Sequence, residues 1–143
     1  GKTVAFFHIS SSGYAVARKS GDYVTKMIEL AGGNYIFKNL GDPETATSTV
    51  TLEMEKFYAT AKDADFIIYN STIGGEIYSI EELITKNSLL ENFKAVQNGN
   101  VWCTGKNLYQ ETTQLGLMIS DIHRLLTESG EGLTELNFMY KLQ

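Results

Sequence analysis

Two hydrophobic patterns alternate along the chain: short continuous apolar runs, and stripes at three- and four-residue spacing. Val4 to Ile9 is a nearly unbroken apolar run that stops at Ser10-Ser11-Ser12-Gly13, as a strand covered on both faces would read. From Ser20 to Ala31 the period changes. Val24, Met27, Ile28 and Ala31 share one helical stripe, and Gly32-Gly33 supplies a C-cap. Tyr35-Ile36-Phe37 predicts a short second strand, followed by a polar loop through Gly41-Asp42-Pro43. Thr51 to Lys62 predicts a helix with Met54, Phe57, Tyr58 and Ala61 inward, and Phe66-Ile67-Ile68-Tyr69 predicts a third strand.

Two short helices should follow. Ser79 with Glu82 and Ser88 with Glu91 each have the spacing of a capping box. Asn98-Gly99 turns the chain into Val101-Trp102-Cys103, a fourth strand. A long last helix carries Leu115, Met118, Ile119, Ile122, Leu125 and Leu126, and stops near Gly130. The tail from Leu136 to Leu142 reads either as a strand or as a docked extended segment. This alternation predicts an α/β fold: a three-layer α/β/α, Rossmann-like lobe with a mostly parallel sheet of about four to five strands.

Composition narrows the function. The 143 residues fit one domain, and 43% hydrophobic with 20% charged residues is a globular balance. Twelve Lys and Arg against seventeen Asp and Glu give a net charge of −5, a poor basis for gripping a nucleic-acid backbone. A single cysteine, Cys103, precludes an internal disulfide or a CxxC motif, and two histidines leave little for a metal site. No apolar run reaches the length of a membrane span. The chain opens directly on its first apolar run, which reads as a cut through a longer protein.

Ligands of parallel sheets meet the loops after the carboxyl ends of the strands. That rule selects three segments. His8 to Arg18 holds His8, Ser11, Ser12, Tyr14 and Arg18, a polar lip with a cationic end, or an ordinary Ser/Gly-rich turn. Asn70 to Tyr78 holds Asn70, Thr72 and Tyr78 around Gly74-Gly75. The third places Trp102, Lys106 and Tyr109 at the mouth of the last strand, although Trp102 also fits a core position. No Ser/His/Asp spacing and no paired carboxylates mark a catalytic centre, so no catalytic residue, resident cofactor or metal site is expected.

The ordered features resemble a known family. Met27-Ile28-Glu29-Leu30-Ala31-Gly32-Gly33 is similar to that family's helix ending in ELAGG. Val50-Thr51-Leu52-Glu53, followed by Ala64-Asp65-Phe66-Ile67-Ile68, resembles its VSxE and PDxII segments, with Ala64 in place of the usual proline. Phe93 to Trp102 resembles its AVKNGRVY signature. The family is the substrate-binding proteins of ABC importers for iron-siderophore, haem and cobalamin, and the matching part is the C-terminal lobe.

That resemblance implies residues 1–143 as a single lobe, with an N-terminal lobe and a linking helix elsewhere. It implies a non-enzymatic receptor that captures an iron chelate, haem or cobalamin between two lobes. Its partner would be the membrane permease, met through an exposed carboxylate that maps to Glu53. Its place would be extracytoplasmic, in the periplasm or at the cell surface, as a lipoprotein anchored through an upstream segment. The residues alone leave another reading open, a small flavodoxin-like or phosphate-handling enzyme domain using Ser10 to Gly13 at a helix N-terminus. Likewise Glu53, without the resemblance, reads as a carboxylate complementing a helix dipole.

Overall fold

The computed structural model describes residues 2–42, 44, 47–105, 115–128 and 132–143. Its sheet has seven strands, more than the four to five expected. β1 (Thr3–Ile9) is the centre and is buried on both faces beyond Thr3. β5 (Phe66–Tyr69) lies parallel on one side of it, and β6 (Val101–Thr104) lies parallel on β5. β1's other edge is shared. β3 (Asn34–Tyr35) runs parallel along Thr3 and Val4, while β2 (Ala15–Arg18) runs antiparallel along Phe7 to Ile9. β4 (Thr49–Leu52) extends the sheet beyond β2, and β7 (Met139–Lys141) closes the far side on β6, both antiparallel. A parallel core thus carries antiparallel margins.

Helix α1 (Tyr23–Leu30) packs against α6 (Leu115–Glu128) on one face of the sheet. On the other face α2 (Met54–Ala61), α4 (Ile80–Lys86) and α5 (Lys94–Gln97) gather around a 3-10 turn over Ser88–Asn92. The one-turn α3 (Ser71–Gly74) follows β5 directly. The expected α/β/α layering is therefore present. α1 ends as its sequence suggests, with Gly32 at φ 97°, a left-handed conformation that glycine adopts without a Cβ penalty.

The departures from expectation have local causes. The sequence pattern places residues 15–18 in the loop after the first strand and starts the second helix at Thr51, whereas both stretches form strands. Ala15-Val16-Ala17-Arg18 and Thr49-Val50-Thr51-Leu52 alternate with period two, and each forms a four-residue strand whose inward positions are the more buried. The second strand is displaced to Asn34–Tyr35, and the tail resolves as the strand β7. The first capping box forms with its return bond moved by one residue: Ser79 Oγ accepts from the Glu82 amide at 3.1 Å, and the Glu82 carboxylate accepts from the Tyr78 amide, not that of Ser79, at 3.2 Å. The second does not. Asn87, not Ser88, caps the 3-10 turn by accepting from the Leu89 amide at 3.0 Å.

Phe57 of α2 is the hub of the core on that face. Its ring meets Phe7 at 4.5 Å, Phe37 at 5.6 Å and Phe93 at 5.9 Å between centroids. Stacked and tilted rings at these separations add to the burial of large apolar surface. The amino-terminal edge of the sheet is clamped by Asp65. Its carboxylate accepts from the Thr3 amide at 3.0 Å, the Thr3 hydroxyl at 3.1 Å and Lys94 Nζ at 2.6 Å. The Lys94 bond leads in holding the Asp65 carboxyl down at about 2, with the Thr3 bonds adding to it against partial burial.

Candidate functional site: the carboxyl edge of the sheet

β1, β5 and β6 are parallel, so their carboxyl ends open on one edge. Three connections meet there. The first is a hairpin turn. Ser10 closes it by donating its amide to the Tyr14 carbonyl at 2.8 Å and accepting from the Gly13 amide at 2.9 Å. Gly13 takes φ 86°, which the tight reversal requires. Ser11, Ser12 and Tyr14 stand exposed on this turn, as a lip needs.

The second connection begins at Asn70, which is buried and caps α3. Its Oδ1 accepts from the Thr72 amide at 3.1 Å and the Thr72 hydroxyl at 2.6 Å. Thr72 itself is exposed. Ser71 ties this turn to β6: its amide donates to Thr104 Oγ1 at 2.9 Å and its hydroxyl to the Thr104 carbonyl. The third connection starts at Gly105, whose amide donates to the Phe138 carbonyl at 2.6 Å. Tyr69 completes the edge, its hydroxyl accepting from the Ile9 amide at 3.3 Å. The result is a polar, hydroxyl- and amide-rich surface fixed by hydrogen bonds across three strand ends.

Several expected site residues lie elsewhere. Arg18 is not at the lip. Because β2 folds back along β1 with Ala17 opposite Phe7, Arg18 sits well below the carboxyl edge. There its Nε lies 3.6 Å from Asp22, Nη1 donates to Ser48 Oγ at 2.9 Å, and the guanidinium covers the Tyr23 ring at 5.6 Å. It ties β2 to α1 and to the entry of β4, so the cationic end expected of this segment is a structural ion pair. Trp102 is fully buried in the middle of β6 and belongs to the core rather than to an aromatic lip. Alternation over so short a strand gave no means of choosing its environment.

His8 is also buried, at 6% exposure, in the last turn of the pleat of β1. Burial first, and the Arg18 charge second, push its imidazole below the ordinary value, so it is neutral near pH 7. Tyr78 is exposed and stands beside β7. Its ring stacks on Tyr140 at 5.9 Å, and the Tyr140 hydroxyl donates to the Ile77 carbonyl at 2.6 Å. Lys106 and Tyr109 lie outside the described residues. The turn that could have served a phosphate opens no helix: Ser10 to Gly13 leads into strand β2. The phosphate-loop reading therefore loses the helix N-terminus it required.

Glu53 sits between β4 and α2, exposed, at the N-cap position and not inside the first turn. Its carboxylate makes no capping bond to α2, while its position at the start of the helix still lets its charge complement the helix dipole. Among the described residues no group of three His, Cys, Asp or Glu side chains is placed to hold a metal ion. Sequence reasoning passed over Asp121, a buried acid on α6 whose carboxylate binds Asn137 and Phe138. The signal was available: Asp121 interrupts the inward stripe between Met118 and Leu125.

No family profile matches the chain. An uncharacterized lipoprotein of Methanocaldococcus jannaschii is 31% identical over 120 residues, covering 83% of this chain and 26% of that protein. Among solved structures, the TroA-like periplasmic binding protein FepB of Veillonella parvula matches 99% of this chain and 49% of its own length. The TM-score is 0.67 at 12% identity. The periplasmic heme-binding protein HutB of Vibrio cholerae matches at a TM-score of 0.65 and 19% identity, over 88% of this chain and 47% of its own. An ABC-type Fe3+-hydroxamate transport protein of Saccharomonospora viridis gives 0.64 and 14%, over 88% and 41%. The chain spans about a quarter of the curated relative and less than half of each of these structures. It has the lobe fold of the ABC-transporter substrate-binding proteins.

Proposed function

We propose that this chain is one lobe of an extracytoplasmic receptor that captures a metal chelate against the carboxyl edge of its sheet and delivers it to an ABC permease. The observation that carries the reading is the edge itself. Exposed Ser11, Ser12, Tyr14 and Thr72 project from connections that Ser10, Asn70, Ser71 and Thr104 hold rigid. Fixed polar and aromatic groups on a stiff scaffold are what a preformed small-molecule surface needs. Solved structures with this lobe fold include proteins named for heme binding and for Fe3+-hydroxamate transport, which supports an iron chelate or haem as ligand. Cobalamin completes the proposed ligand class. A relative named as a lipoprotein supports a place outside the cytoplasmic membrane, lipid-anchored.

A second lobe would close over the edge, and Glu53, exposed beside α2, would meet cationic groups of the permease. The reading contains no chemical step, so the lobe is a carrier and not an enzyme. Calorimetric titration tests it, using the longest form that the reading frame encodes. Ferric hydroxamate, haem and cobalamin are titrated in turn, and saturable one-to-one binding of one of them is expected. Failure of all three to bind would overturn the assignment.

A further inference from the structure

Asp121 lies on α6 with its side chain turned inward and only 1% of the residue exposed. A carboxylate in such a place needs donors, since burying a charge without them is costly. Both oxygens have one. Oδ1 accepts from Asn137 Nδ2 at 2.9 Å and Oδ2 from the Phe138 amide at 2.8 Å. The bonds continue. The Phe138 carbonyl accepts from the Gly105 amide at 2.6 Å, and a Cβ at Gly105 would stand only 3.4 Å from that carbonyl oxygen. Gly105 follows Thr104, whose hydroxyl and carbonyl hold Ser71, and Ser71 follows the capping Asn70. One line of hydrogen bonds therefore runs from α6 through residues 137 and 138 to the ends of β6 and β5.

We propose that Asp121 is a positioning residue for the ligand face: by fixing Asn137 and Phe138 it sets where Gly105, Thr104 and Ser71 stand at the carboxyl edge. This rests on the reading of that edge as the ligand face. Among the described residues the Asp121 carboxylate hydrogen-bonds Asn137 and Phe138, and it acts on the edge through that segment. Charge-assisted bonds to a carboxylate are the stronger kind, so the anchor is firm enough to transmit a position.

Two variants test it. Asp121→Asn keeps the shape but turns one accepting oxygen into a donor that faces another donor. Asn137→Ala removes one bond and leaves the Phe138 bond intact, so it keeps the test open should the first variant fail to fold. Amide hydrogen exchange is read first. In Asp121→Asn, Phe138, Gly105 and Ser71 should exchange about tenfold faster, the scale of one lost charge-assisted bond, and in Asn137→Ala the same amides should shift the same way by less, with Phe6 and Ile67 unchanged in both. Uniformly faster exchange, or an unchanged Gly105, would assign Asp121 a purely structural role and overturn the proposal.

Affinity is read second, with ferric hydroxamate, haem and cobalamin as probes. The dissociation constant of the probe that the wild-type protein binds should rise about fivefold or more, in step with the loosened edge. Wild-type affinity in both folded variants would overturn the positioning role. A wild-type protein that binds none of the probes defeats the receptor reading instead, and the exchange rates then decide on Asp121 alone.

Discussion

Ser71 grips Thr104 twice: its amide donates to Thr104 Oγ1 at 2.9 Å and its hydroxyl donates to the carbonyl of the same residue. Both residues are buried, so neither bond is readily replaced by water. Thr104→Val preserves the shape and leaves the Ser71 amide without its acceptor. The expected loss is about 2 kcal/mol in denaturant unfolding, with Ser71→Ala costing about 1 kcal/mol. A Thr104→Val protein as stable as wild type would show that the amide finds another partner.

Asp65 gives the protein an acid-labile clamp. Its carboxyl is held at about 2, below the ordinary 3.8, so the folded state favours the ionised form. The stabilisation is complete above pH 3.8 and is lost as the pH falls from there towards about 2. Asp65→Asn should cost about 1 kcal/mol at neutral pH, a figure reduced for partial solvent screening. The variant should also flatten the acid limb of a stability–pH curve, and an unchanged acid limb would move the sensitivity to other groups.

His8 acts in a higher window. Burial and the nearby Arg18 charge lower its pKa, so the unfolded chain takes up a proton that the folded protein resists. Stability contributed by the neutral ring is present above pH 6.5 and declines as the pH drops below it. His8→Gln should remove that decline below pH 6.5. Thermal melts across this range check it, and a variant with the wild-type slope would clear His8 of the effect.

Glu53 separates docking from capture. Glu53 follows Leu52, which pairs with Ala15 opposite Ile9, so it stands on the same sheet edge but two strands to the side of β1. At that lateral distance, and with no capping bond to lose, Glu53→Arg should leave ligand affinity unchanged and lower the melting temperature only slightly, through its charge at the start of α2. Uptake of the bound chelate by cells should fall by about tenfold or more, since reversing a charge at a docking contact replaces attraction by repulsion. Normal uptake would remove Glu53 from the permease contact.

The parts of the fold that were legible from sequence are those with long, single-period patterns. Val4 to Ile9, Phe66 to Tyr69 and the stripe on α6 all announced themselves, and with them the edge on which Asn70 and the Ser10 turn meet. Four-residue strands were hidden, because two alternations in Ala15 to Arg18 are too few to stand out beside a Ser/Gly turn. Missing β2 moved Arg18 to the wrong end of the sheet. Trp102 illustrates a second limit: in β6 both faces are covered, so no polar neighbour marks an outward side. Asp121 shows a third. A buried charge is explained only by its partners, and Asn137 and Phe138 come to it through tertiary folding, not sequence proximity.

The shared edge of β1 also fixes an order of assembly. The hairpin with β2 is local and can close within about 1–10 μs. β1's opposite edge must wait for β5, 62 residues further along the chain. Until that span closes, the central strand of the sheet is paired along one edge only. Slow long-range pairing is the condition under which strand edges aggregate. During synthesis β1 therefore emerges before β5 exists to cover its second edge, and lower temperature or added chaperone during expression should raise the soluble yield.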